Sequence, residues 1–350
     1  MKKQMLLTFI AICVLVCIFC IVSNYYNQQN EYMPIYEQNI IFDPDVDLKE
    51  RSVSCDFENV SVKANITSTD KDGYSFVVDN VSFNEEICSR IFLDNQSIKH
   101  DSKYAGYYHD DNGGELWVSK GNLLFYCDDD MKDICEILEF TQETEPENCV
   151  TCRADDKKID VMIDTAKKIM NSIGIPSFYN KINAEIIYFN ESNKLSSHSQ
   201  FSEITDNKLG SSYYQIDFIP IIRGIQTLSH YNLSNCIGDL SNEMVLIRFI
   251  FDDFQLKACR IIGCTNIKMV ENRAYDLTSD SAIRILKSYY SDIIFNGTIN
   301  IEEIYPAYQL RYDYANEEYF LDLIWCYNGK VHYFEGENEE ILILLSSERK

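Results

Sequence analysis

The 350-residue sequence is 46% hydrophobic and 13% aromatic, with 24 Tyr and 19 Phe, enough for a packed core and too much for a disordered chain. Its 31 Lys and Arg face 55 Asp and Glu, a formal net charge of −24. That balance excludes nucleic-acid binding as a main activity, because a phosphate backbone requires a basic face.

The chain begins with Lys2 and Lys3 before an uncharged run over residues 5–22, apolar except for Thr8. As a helix this run would reach about 27 Å, close to the hydrocarbon thickness of a bilayer. Residues 1–24 are therefore expected to form a transmembrane anchor or signal. Signal cleavage needs small residues before the cut, and the best site, Ile21-Val22-Ser23, opens on a large one. A lipoprotein needs small residues before its Cys, and Cys13, Cys17 and Cys20 follow Ile12, Val16 and Phe19. The expectation is an uncleaved single-pass signal anchor in the cell membrane, with a secreted or lipoprotein form as the alternative. The two lysines would stay inside, placing everything after Asn24 outside the cell. With them set aside, 29 basic side chains face 55 acidic ones, so the outer part should stand off an anionic lipid surface.

Residues 25–51 are polar, spotted with aromatics, and hold Pro34 and Pro44, as in an extended stalk. A β-rich domain is predicted over 52–140. Val60, Val62, Ala64 and Ile66 alternate with polar residues, and Asp72-Gly73 turns the chain into a second strand at 74–78, giving a hairpin or near neighbours. Residues 103–109, the turn holding Asn112-Gly113, and residues 115–119 read as a hairpin that continues through 123–127 as a meander. Residues 141–156 are polar and acidic, as in a linker.

From there the period becomes helical. Ile159, Met162, Ile163, Ala166, Ile169 and Ile173 share one helix face that Gly174 stops and Pro176 seals. Strands are predicted at 185–189, 213–222, 244–251 and 257–265. A second helix is predicted from Thr278 or Ser279 through Ile283, Leu286 and Tyr290, with Asp280 in its first turn, followed by two long strands at 299–314 and 319–334. Helix then antiparallel strands, given twice, implies two α+β units, 157–275 and 276–350.

No motif specifies an enzyme or a cofactor. Ten cysteines lie beyond the membrane run; Cys149/Cys152 and Cys259/Cys264 are the local disulfide candidates, against the alternative of buried free thiols. Cys149-Val150-Thr151-Cys152 is a CxxC, but Glu143, Glu145 and Glu147 would raise its thiol pKa. Cys127 and Cys135 could join that pair around zinc only with loose spacing. The five histidines, His100, His109, His198, His230 and His332, never fall at helical spacing, and the SxxK matches at Ser68/Lys71 and Ser347/Lys350 lie in a turn and at the C-terminus. Asp110-Asp111-Asn112 with Glu115, and Asp128-Asp129-Asp130 with Asp133, could offer oxygens to Ca²⁺ but read first as solvated acidic turns. Tyrosines crowd the predicted elements, at 104, 107, 108, 289, 290, 305, 308, 312, 314 and 319, in keeping with a sheet core or a binding face.

Tyr213 to Phe218, Arg223-Gly224-Ile225, the helix with Ala282, Ile301 to Ile304, Pro306-Ala307-Tyr308, Trp325 and Glu340-Ile341-Leu342 together resemble the PepSY-like extracytoplasmic domains of Gram-positive bacteria, in particular the YycH/YycI type, over about residues 157–345. The fold class expected is α+β: an N-terminal transmembrane helix, a β-rich antiparallel region, then two helix-plus-antiparallel-sheet units, of which the resemblance covers the last two. It also implies a non-enzymatic regulatory module acting through protein–protein interaction on another envelope or membrane protein. The acidic surface adds the expectation of a basic or cationic partner. A cell-envelope hydrolase or peptidase accessory, or a metal-binding module, are the alternatives.

Overall fold

The chain divides into two units, Met1–Asp43 and Pro44–Lys350. The computed structural model describes residues 46–93, 98–101, 103–119, 123–131, 150–151, 157–176, 179, 182–189, 212–228, 236–238, 245–291, 293, 297–334, 336 and 338–347, all in the second unit. The expected anchor, the stalk and most of the expected linker lie outside the described residues. Among the described residues no helix is long and apolar enough to cross a membrane.

In chain order the strands and helices are β1 (Lys49–Phe57), β2 (Val60–Ser68), β3 (Gly73–Asn80), α1 (Glu85–Phe92), β4 (Lys99–His100), β5 (Tyr107–His109), β6 (Glu115–Ser119), β7 (Leu123–Cys127), β8 (Val150–Thr151), α2 (Lys157–Ser172), β9 (Ile182–Phe189) and β10 (Tyr213–Ile222). They continue as β11 (Ile225–Gln226), β12 (Cys236–Gly238), β13 (Leu246–Asp252), β14 (Gln255–Ile262), β15 (Thr265–Tyr275), α3 (Ser279–Tyr290), β16 (Gly297–Asp313), β17 (Glu318–Tyr333) and β18 (Asn338–Ser346).

The fold is mostly β, which corrects the expectation of two helix-plus-sheet units. One sheet runs β1-β2-β16-β17-β18-β12, with β3 bridging β17 and β15; the other runs β4-β5-β6-β7-β14-β13-β10-β9-β8, with β11 on β10. Both sheets draw on early and late parts of the chain. β2 lies parallel to β16, β3 pairs β17 at Tyr319 to Leu321, and β7 pairs β14 at Cys127↔Ala258. The expected β2–β3 hairpin is also absent: β2 forms its hairpin with β1 and lies beside β16, while β3 pairs with the distant β15 and β17. The meander β5-β6-β7 forms as its turn chemistry predicts, with Gly113 in the left-handed region at φ 89°.

The helices end where local chemistry dictates. Thr278 caps α3 by accepting from the Ser281 amide, and Gly174, at φ 86°, closes the end of α2.

In the first sheet, Ile324, Trp325, Cys326 and Tyr327 are buried in succession, so β17 is covered on both faces. α3 covers one of them, where the Tyr327 hydroxyl donates to the Ala282 carbonyl at 2.8 Å. On the other, Leu228, Ala307, Ile324, Cys326, Leu342 and Leu344 form one cluster. In the second sheet Phe92 of α1 stacks on Tyr126 with ring centroids 5.2 Å apart. Its centre holds a buried ion pair. Asp217 of β10 faces Arg248 of β13, Nε to Oδ1 2.8 Å with both side chains 4% exposed, and Gln215 donates a further bond to the Asp217 carboxylate. Such a pair is tolerated because the partners satisfy each other; either alone would be a stranded charge.

Candidate functional site

Two surfaces stand out where exposed chemistry meets regular structure. The first is the tip of the β16–β17 hairpin. The two strands stay in register to Tyr312↔Tyr319 and Asp313↔Glu318, and β3 pairs with β17 as far as Tyr319, opposite Val78. Asp313 builds the turn: its carboxylate accepts from the Ala315 amide at 2.9 Å and from the Asn316 side chain at 2.9 Å, and these bonds hold its pKa below the usual carboxylate value. Glu317 takes the left-handed conformation at φ 54° that closes the loop.

Three rings gather on this scaffold. Tyr312 contacts Tyr319 across the strands at 4.7 Å between centroids and Tyr314, the first residue of the turn, at 4.9 Å. Tyr314 is 85% exposed. The Tyr312 hydroxyl has a raised pKa, first through desolvation by its neighbours and then through the Glu317 carboxylate. The tip is thus a tyrosine platform bordered by Asp313, Glu317 and Glu318. Aromatic faces beside carboxylates attract ammonium and guanidinium groups, and rigid exposed tyrosines are common anchors in protein interfaces.

The second surface is the edge of the first sheet. β1 pairs with β2 over all nine residues without a bulge, from Lys49↔Ser68 to Phe57↔Val60, and has no second neighbour among the described residues. Val53, Cys55 and Phe57 are half-buried; the other six residues are exposed.

The sequence candidates disperse. Asp110 accepts from the Asn112 and Gly114 amides and so shapes its hairpin, while Asp111 pairs with Lys99. Asp128 and Asp130 both hold the Lys257 ammonium at 3.0 Å. Burial works against that ammonium, and the two carboxylates overcome it and raise its pKa. The acidic turns are therefore met by the protein's own lysines. Among the described residues no group of three or more His, Cys, Asp and Glu side chains is arranged to hold a metal ion.

Cys259 and Cys264 are both buried free thiols and are not joined. Burial pushes both thiols up, which keeps them protonated and unreactive. Cys127 is buried and free as well, whereas Cys135, Cys149 and Cys152 lie outside the described residues. Of the tyrosines, Tyr308 and Tyr290 sit in the core, Tyr104, Tyr107 and Tyr108 belong to the outer part of the second sheet, and only Tyr312, Tyr314 and Tyr319 form the tip. The β1 edge escaped the sequence reading, although Val53, Cys55 and Phe57 alternate with Ser52, Ser54 and Asp56.

No family model matches the chain, and no curated protein matches its sequence. Among solved structures it is similar in fold to an uncharacterized protein from Eubacterium rectale. The two are 13% identical with a TM-score of 0.53, over 85% of this chain and 93% of that one. YycH from Bacillus subtilis is more distant, at 12% identity and a TM-score of 0.35. That overlap takes in 84% of this chain, which spans little more than half, 56%, of YycH. Both likenesses are far below family-level identity; the first describes a shared mostly-β architecture and the second bears no further reading.

Proposed function

We propose that the chain is a membrane-anchored, extracytoplasmic and non-enzymatic module that binds another protein of the bacterial cell envelope and so senses its state or modulates it. The observation that carries this reading is the acid-bordered platform of Tyr312, Tyr314 and Tyr319, held out on the longest hairpin among the described residues. Its chemistry suits a basic partner surface: lysine or arginine side chains would lie over the rings and meet Asp313, Glu317 and Glu318. The anchor rests on the apolar run at residues 5–22 and the outward orientation on Lys2 and Lys3.

The test is crosslinking in intact cells of the source organism, comparing the tagged chain with a variant carrying Tyr312→Ser, Tyr314→Ser and Tyr319→Ser. The expected result is enrichment of one envelope or membrane protein by the parent and its loss with the variant, at equal amounts of chain in the membrane. Capture of the same proteins by both forms, or of none, overturns the reading.

A further inference from the structure

The free edge of β1 has a chemical character of its own. Alternate residues of an edge strand leave their N–H and C=O groups facing away from the sheet, ready to pair with another strand. Residues opposite one another in an antiparallel pair project to the same face. Arg51, Val53, Cys55 and Phe57 stand opposite Ile66, Ala64, Val62 and Val60, and so share the face that β2 buries. On that face Lys287 of α3 stands over the Phe57 ring, 5.5 Å from its centroid.

The strip along the edge therefore reads Lys49 and Arg51 at one end, half-buried Val53 and Cys55 in the middle, and Phe57 under Lys287 at the other. In a chain of net charge −24 this is a local band of positive charge around an apolar centre. The acidic residues of β1 are kept off it: Glu50 and Asp56 project to the opposite face, where Asp56 accepts from Ser61. Asp47, just before the strand, pairs loosely with Lys49 at 3.9 Å and leaves Arg51 and Lys287 as the principal cations.

We propose that the β1 edge binds an extended acidic peptide segment as an added strand, with apolar side chains against Val53 and Cys55 and carboxylates against Arg51 and Lys287. Strand addition supplies main-chain hydrogen bonds, and the alternating side chains supply selection. The cations select against a neutral apolar strand, which would have to bury them. A second copy is disfavoured. Two β1 strands paired about a two-fold centred on Val53 set Glu50 opposite Asp56, and the two acidic chains repel. This inference is independent of the tyrosine tip, which is distant in the fold and selects the opposite charge.

The experiment measures fluorescence anisotropy of capped, labelled peptides with the full chain in detergent. The probes are ETVTVTETE, its reversed sequence ETETVTVTE, and the lysine counterpart KTVTVTKTK. Hydrogen exchange of the β1 amides is followed in parallel. The expected result is saturable binding of one acidic peptide, at least about tenfold tighter than the lysine peptide, with slowed exchange at residues 52–57. Combined Arg51→Glu and Lys287→Glu should reverse the preference. Val53→Lys provides a second variant should the first fail to fold, and it should abolish binding while lowering the thermal midpoint by no more than about 4 °C. The proposal is overturned if neither acidic peptide binds up to millimolar concentration, if both charges bind alike, or if binding leaves the β1 amides unprotected. It is equally overturned if protection of β1 follows chain concentration without peptide, which would make the edge a self-association surface.

Discussion

The two sheets finish their edges differently. As described, the second sheet ends in two-residue strands on both sides, β4 and β8, and the first ends in three-residue β12 on one side. Stubs of this length give an incoming strand almost nothing to pair with, a common way of protecting a sheet. β1 breaks the pattern with nine regular residues. The comparison teaches that three edges are closed by shortness, whereas β1 stays long and regular and is guarded only by charge; β15, the other long margin of the first sheet, is broken by two bulges. The same division separates the centre of the first sheet, buried on both faces, from its margins at β1 and at the tyrosine tip, where stability contributes little and exposed chemistry is concentrated.

Breaking the centre should have the largest effect. Trp325 is fully buried, and Trp325→Ala is expected to cost about 3–5 kcal/mol in urea unfolding. Val53→Ala on β1 should cost under about 1 kcal/mol. Similar losses at the two positions would erase the distinction between centre and margin. In the second sheet Arg248→Ala should cost about 3–5 kcal/mol, because it strands the buried Asp217 carboxylate.

A pH-dependent effect is expected in alkali. Burial, aided by the Glu85 carboxylate, raises the Cys88 thiol from 9.0 to about 12. A group whose pKa is higher in the folded than in the unfolded chain favours the fold fully below pH 9 and loses that contribution as pH climbs towards 12. The loss at this site is on the order of 4 kcal/mol at most. Unfolding midpoints measured across this window should fall with pH, and Cys88→Ala should remove part of the slope. At the lower end of the scale, Tyr314→Ser should leave the urea midpoint unchanged, since the ring is 85% exposed, while weakening capture of the partner.

What the sequence disclosed was what local chemistry decides. The alternation in β2, the Asn112-Gly113 hairpin, the Gly174 stop and the Thr278 cap each depend on neighbours a few residues away, and each stands in the structure. The assembly of the sheets does not. Nothing local tells β3 to pair with β15 and β17, or β2 to lie beside β16, because those choices are made by burial between segments more than 180 residues apart.

Of the elements that the sequence reading missed, two hid for plain physical reasons. β15 carries bulges between Ile267 and Met269 and between Val270 and Ala274, which break its period of two. α1 is only eight residues long, and its cap, Asn84, accepts from the Ile87 amide in a stretch too short for helical periodicity to emerge. Of the candidate surfaces, the tyrosines were visible as a count. Which three of them form the tip depends on the register in which β16 and β17 turn back on each other, and that is a property of the sheet.

The most direct test of an interaction module places a photo-crosslinking residue at position 314 of the full chain in intact cells, with position 161, an exposed site on α2, as the control. The account predicts that one envelope protein is captured from position 314 and not from 161, and that Glu317→Lys with Glu318→Lys weakens the capture. Identical products from both positions, or capture from 314 that survives the charge reversal, would contradict it.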